Sequence, residues 1–383
     1  MQTNELRADR LRELATLRPE GARVLSVFLN LDPAEFAEPP ARASEIRSVV
    51  DELRRVARDS DGLAHDAKVA LREDVDRVED YLSSFTPKGA HGVVVYACGP
   101  AGLFEVIRLP RPIETRAVID DSPLIEPLAE LIGAGTWCVV LVNRQTGRMF
   151  VGDRERLDEV DVIVDDVHGR HKQGGLSQAR YQRSVDEDVQ DHLRTVAQAA
   201  FVRFKRAPFD NLLLGGPQET VTDFESKLHA YLQERVVGRI GVDVENTSVD
   251  EVHRAAAVKI EAYEQQRDRA ALDRLSEGLS KGSRAAAGLD DVLEALNERR
   301  VEILLLEPGY QVPGCTCPQC GWVGPMDGGA CPADGTPVAC RDSVVESAVE
   351  LAVVQSADVL VMRDENLQRE LQSHGQIAAV LRF

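Results

Sequence analysis

Apolar residues follow two rhythms along this chain. Short valine- and leucine-rich runs at 24–31, 93–97 and 103–109 are bounded by turn residues and predict strands, while the charged stretches between them predict helices. Pro39-Pro40 reads as a turn, and 119–132 as a connector. A second region opens with predicted strands at 137–143, 148–151 and 160–164, the first two joined by a turn at Thr146-Gly147. Tyr181, Val185, Val189, Leu193, Val196, Ala200 and Phe204 then recur at three- and four-residue intervals, one stripe of a long amphipathic helix starting near Ser177. Leu212-Leu-Leu-Gly-Gly-Pro217 reads as a buried strand closed by a glycine turn, followed by a helix over 221–235. After a charged helical connector at 251–281, the third region reads as helix 289–297, strand 301–306, a cysteine-rich insertion, helix 344–355 and strands 359–362 and 377–382. Strands alternating with helices predict an α/β fold of packed layers, here in three domains at 1–130, 131–268 and 269–383.

Charge changes the picture at one place. The 383-residue chain carries a formal charge of −19, which argues against general coating of nucleic acid but not against a focused contact, because fields are local. Between 167 and 185 no carboxylate offsets Arg170, Lys172, Arg180 and Arg183, although Asp161, Asp165 and Asp166 come just before. Gly174-Gly175 lies in this segment and the long helix follows it, so unpaired amides and the positive end of the helix dipole join the basic side chains in favouring an anion such as an RNA phosphate. The two glycines let backbone approach a ligand closely. Read in isolation, the same segment also fits a solvated surface loop. A metal site built from Asp165, Asp166, His168 and His171 is a further reading, but it lacks ligands from other elements.

Five of the seven cysteines fall between 315 and 340. Cys317-Pro-Gln-Cys320-Gly resembles a zinc knuckle more than a disulfide framework, and Cys331-Pro-Ala-Asp334-Gly repeats it with aspartate in place of the second cysteine. Cys317, Cys320 and Cys331 are the first candidates for zinc ligands. The fourth is Asp334, or Cys340 if a returning strand brings it near, and Cys315 flanks the site. Such a site is structural, because protein donors fill all four positions and none is left for an activated water. A degenerate ribbon folding without metal is the other reading. The first 17 residues are charged and helix-like, and no apolar run is long enough to cross a membrane, so a soluble cytoplasmic protein, monomeric by default, is expected.

The order of these features resembles the archaeal and eukaryotic peptide-chain release factors and Pelota. The basic Gly-Gly loop before a long helix, the Leu-Leu-Leu-Gly-Gly strand, the cysteine ribbon inside the last domain and the terminal Ile377-Ala-Ala-Val-Leu-Arg-Phe383 carry the resemblance, and the N-terminal region matches in general pattern. It implies a three-domain, tRNA-shaped protein that enters the ribosomal A site. The N-terminal domain would face the decoding centre, the middle-domain loop the peptidyl transferase centre, and the last domain a translational GTPase, elongation factor Tu being the expected one. In that picture His168, Arg170, His171, Lys172, Gln173, Gly174, Gly175, Gln178 and Arg180 contact ribosomal RNA of a particle engaged on both subunits.

One departure bears on mechanism. Release factors place glutamine directly after the two glycines, where it positions the water that attacks the peptidyl-tRNA ester. Here Leu176 and Ser177 intervene before Gln178. Small misplacements of a catalytic group cost large factors in rate, and the stop-codon decoding motif is not recognisable. The resemblance is greatest to bacterial members, which implies a hibernation factor that occupies idle or stalled ribosomes without releasing peptide and is not an enzyme. The alternative is a peptidyl-tRNA hydrolase rescuing stalled ribosomes, with Gln178 or Gln173 as the offset catalytic glutamine.

Overall fold

The computed structural model describes residues 3–5, 8–19, 21–36, 39–59, 64–86, 90–109, 112–133, 135–165, 178–325 and 328–383. The chain divides into two compact units, one made of Met1–Gly133 with Arg267–Phe383 and the other of Ala134–Gln266.

In the first unit, β1 (Thr3–Glu5), β2 (Val24–Asn30), β3 (Gly92–Cys98), β4 (Leu103–Leu109) and β5 (Arg116–Asp120) form a sheet in the order β1-β4-β3-β2-β5. With them come α1 (Ala8–Thr16), α2 (Pro33–Phe36), α3 (Pro39–Asp59), α4 (His65–Ser83) and α5 (Glu126–Gly133). Apart from Ser26, β2 is apolar from Val24 to Leu29 because both of its faces are buried. Leu25, Val27 and Leu29 pack with Val49, Leu53, Val75 and Val78 of α3 and α4, whereas Val24 and Phe28 join Leu11, Leu14 and Leu128 of α1 and α5. Two expectations are corrected here. Pro39-Pro40 opens α3 rather than forming a turn, since a proline at the first helical position forfeits no hydrogen bond. The supposed connector at 119–132 contains the end of β5, antiparallel to β2, and then α5.

In the second unit, β6 (Trp137–Val142), β7 (Thr146–Gly152), β8 (Leu157–Val164), β9 (Asn211–Gly215) and β10 (Val236–Ile240) run in the order β10-β9-β6-β7-β8. The pairs β10·β9 and β9·β6 are parallel; the others are antiparallel. Against this sheet lie α6 (Gln178–Arg206), α7 (Gln218–Lys227), α8 (Ala230–Gln233) and the first part of α9 (Val249–Lys281). The single helix expected over 221–235 is broken, because Leu228 and His229 are extended and His229 caps α8. Gly216 takes φ +130°, and a Cβ there would meet the Val142 carbonyl oxygen at 2.1 Å, so the turn after β9 requires glycine.

The remainder of the first unit contains β11 (Ala285–Ala287), α10 (Leu289–Asn297), β12 (Val301–Leu306), β13 (Gly314–Thr316), β14 (Val323–Pro325), β15 (Ala339–Arg341), α11 (Val345–Val354), β16 (Asp358–Val361), α12 (Glu365–Gln372) and β17 (Ile377–Leu381). One sheet runs β11-β17-β12-β16, and the ribbon is a small separate sheet, β14-β13-β15. Val345, Ala348 and Val349 of α11 belong to the same core as Leu11, Leu14, Phe28 and Tyr96. The expected α/β layering is what the described residues form, and no helix among them is long and apolar enough to cross a membrane.

Candidate functional site

In sequence, the basic Gly-Gly segment follows β8, an edge strand of the second unit's sheet, and precedes α6. At the near end, β8 exposes Val162 and Val164, and the Asp165 amide donates to the Gln145 carbonyl at 2.9 Å. At the far end, α6 opens at Gln178 and buries Leu193, Val196, Ala197 and Ala200 beside Cys138, Val140, Leu212 and Leu214. His192, in the middle of α6, bonds the near end to the helix. Its side chain is fully buried, and Nδ1 lies 2.6 Å from Asp165 Oδ2. Asp165, entertained from sequence as a metal ligand, is therefore bonded to a histidine of the helix. His168, Arg170, His171, Lys172, Gln173, Gly174 and Gly175 lie outside the described residues, as does Asp166. Gln178 and Arg180 fall in the first turn of α6, of which the backbone alone is described. What the geometry supplies here is the end of β8 bonded to the middle of α6, whose first residue, Gln178, lies fourteen residues before His192, about 21 Å along the helix.

Of the cysteine ribbon, all residues but 326 and 327 are described. Its two knuckles repeat one another bond for bond. The Gly321 amide donates to the Cys317 carbonyl and the Gly335 amide to that of Cys331, both at 2.9 Å. The Cys317 amide donates to the Trp322 carbonyl and the Cys331 amide to that of Thr336, both at 2.7 Å. Gly321 and Gly335 share the left-handed conformation, at φ 75° and 76°. Asp334 thus stands where the first knuckle has Cys320. The four donor atoms of Cys317, Cys320, Cys331 and Asp334 lie within 4.8 Å of one another. Cys320 Sγ is 3.5 Å from Cys331 Sγ, and Cys317 Sγ is 3.5 Å from Asp334 Oδ2. A tetrahedral ion with metal–sulfur bonds of about 2.3 Å sets sulfur–sulfur edges of about 3.8 Å, so the donor set fits such an ion. The Asp334 carboxyl is held below its usual range, first by the Thr336 amide. A charged ligand is therefore ready at that position. Cys340, the alternative fourth donor, is instead disulfide-bonded to Cys315, because the β13–β15 register sets these residues directly opposite.

Residues 123–261 match the model of bacterial archaeo-eukaryotic release factor family 10. The chain is 28% identical to a peptide chain release factor subunit 1 of Methanopyrus kandleri over 229 residues, 57% of this chain and 55% of that protein. It is 23% identical to the same factor of Archaeoglobus fulgidus over 404 aligned positions, 98% of this chain and 96% of that one. These matches support a bacterial member of the release factor and Pelota family. Solved structures of the family that the chain is similar to include an archaeal translation termination factor, aRF1 (16% identity, 99% of both chains, TM-score 0.27). Another is Dom34 of S. cerevisiae (13% identity, 73% of this chain and 72% of that one, TM-score 0.42). In this chain Leu176 and Ser177 separate Gly175 from Gln178.

Sequence reading missed the His192–Asp165 pair and the Cys315–Cys340 bond. A histidine inside the apolar stripe of α6 was the available sign of the first, since a buried imidazole needs a partner. Nothing in the spacing of Cys315 and Cys340 signalled the second, because it depends on strand register.

Proposed function

We propose that the protein is a ribosome-binding translation factor that occupies the A site of idle or stalled ribosomes and does not release peptide. The reading draws on the family match and on the resemblance to the bacterial hibernation factor Balon. The observation that carries it is the carboxylate-free stretch 167–185 in a chain of net charge −19, delivered at the N-terminus of a 29-residue helix. Cationic and glycine-rich backbone suits phosphate and close approach to RNA. The two residues between Gly175 and Gln178 speak against positioning a hydrolytic water. In this reading the ribbon holds a structural zinc through Cys317, Cys320, Cys331 and Asp334, elongation factor Tu is the partner of the C-terminal region, and the site of action is the cytoplasm.

One observation favours peptidyl-tRNA hydrolysis as a second reading: Gln178 is the first residue of α6, where backbone amides are free of intrahelical partners. Sedimentation with vacant ribosomes and with ribosomes carrying labelled peptidyl-tRNA separates the two. Binding without peptide release is expected. Release that is lost in Gln178→Ala establishes the hydrolase, and absence from both pellets removes the ribosomal reading.

A further inference from the structure

The C-terminal end of α6 and the corner between α7 and α8 build an aromatic surface that the core of the middle unit does not enclose. The rings of Phe201 and His229 stack with centroids 4.0 Å apart and planes 8° from parallel. Tyr231 continues the row 5.1 Å from His229, and it is 57% exposed. His229 is fixed in place because its Nδ1 accepts the Tyr231 amide at 3.3 Å, capping α8. The row is therefore preorganised by backbone and not by a partner.

Cations stand around it. Lys205 Nζ lies 5.0 Å from the Phe201 ring centroid, and the Arg235 guanidinium lies 4.6 Å from that of Phe204 while donating to the Tyr231 carbonyl at 2.6 Å. Arginines elsewhere in the chain are commonly matched, as Arg239 is by Glu225 next to this surface. Lys205, Arg206, Lys227 and Arg235 have no carboxylate partner within ion-pair distance among the described residues. With Glu225 matched by Arg239, the acids nearest these cations in sequence are Asp210, Asp223 and Glu234. An exposed aromatic row with unmatched cations, in a chain of charge −19, is the combination that holds unpaired nucleic acid: a ring face for a base and a cation for its phosphate. A duplex keeps its bases stacked inside and offers no such face.

We propose that this surface binds an unpaired RNA base, stacked on the exposed Tyr231 ring at the end of the row with its flanking phosphates on Lys205 and Arg235. The proposal deepens the ribosome-binding reading by adding an RNA contact at the opposite end of α6 from the Gly-Gly segment.

The test measures fluorescence anisotropy of the full-length protein with a labelled, unstructured oligoribonucleotide of about ten nucleotides, within the usual site size of single-strand binders. Ribosome co-sedimentation runs in parallel. Tyr231→Ala is expected to weaken oligonucleotide binding roughly tenfold, Tyr231→Phe to preserve it, and Lys205→Ala to lower the salt slope by about 0.7. An unchanged thermal midpoint shows that Tyr231→Ala remains folded. No oligonucleotide binding by the unmodified protein, or equal binding by Tyr231→Ala, overturns the proposal; ribosome binding that persists in that case keeps the broader reading. Tyr231-dependent RNA binding without ribosome binding sustains the surface and removes the ribosome.

Discussion

The Ser122 hydroxyl donates a hydrogen bond to Glu350 Oε1 at 3.0 Å, joining the segment before α5 to the middle of α11. Arg18 reaches the other carboxylate oxygen. Glu350 is 8% exposed, and burial pushes its carboxyl above the usual range, opposed by Arg18, Ser122 and Arg341 and reinforced by Asp120. A carboxyl whose folded value is raised binds more protons folded than unfolded, so stability is greatest below the ordinary glutamate value and falls as pH rises towards the raised one. Glu350→Gln should remove that decline. Arg18→Ala leaves a buried carboxylate without its cation and should cost about 1–3 kcal/mol at pH 8 and less at pH 4. Urea unfolding at both pH values checks this, and an equal loss at the two would contradict it.

The repeated knuckles make a chemical prediction about the ribbon. Asp334 occupies the position of Cys320, and Cys340 is bonded to Cys315. The purified protein should carry one zinc per chain, read by elemental analysis. Asp334→Ala should lower that content, and Asp334→Cys should retain it and slow loss to a chelator, since a fourth thiolate replaces a harder oxygen donor. Cys340→Ser should leave the metal content unchanged. Loss of metal in Cys340→Ser with retention in Asp334→Ala would reverse the ligand assignment.

His192 has its Nδ1 on Asp165, and its buried Nε2 has no partner among the described residues. Asp165→Ala would strand both ring nitrogens and should destabilise the protein by about 1–3 kcal/mol. Asp165→Asn keeps an acceptor and should cost less. A metal role for Asp165 predicts instead a change in bound metal with little change in unfolding, so denaturation and elemental analysis on the same variants tell the two apart.

Legibility from sequence followed burial. A strand with two buried faces, such as β3, is readable as an unbroken apolar run, and Leu103–Leu109 and Leu289–Asn297 are legible to the residue. The elements missed were short, half-exposed or set by tertiary pairing. Arg116–Asp120 is half-buried throughout and becomes a strand by pairing with β2. Val236–Ile240 was hidden behind a helix that the extended Leu228 and His229 interrupt. For the sites, local motif spacing located the donors of the ribbon, whereas the Phe201–His229–Tyr231 row needs a chain reversal that no periodicity encodes.

The basic segment yields a prediction that depends on charge alone. If Arg170, Lys172 and Arg180 each neutralise an RNA phosphate, changing all three to alanine removes three sites of counterion release. The slope of log affinity against log salt for ribosome binding should become shallower by about 2–3, with a larger loss of affinity at low salt than at high salt. The same substitutions should leave the thermal midpoint nearly unchanged, because an unbalanced run of like charge contributes little to folding. Gln178→Ala, which removes no charge, should leave the slope as it is. Equal slopes for the triple variant and the unmodified protein would show that RNA is held elsewhere, and affinity lost equally at all salt concentrations would point to a change of shape and not of charge.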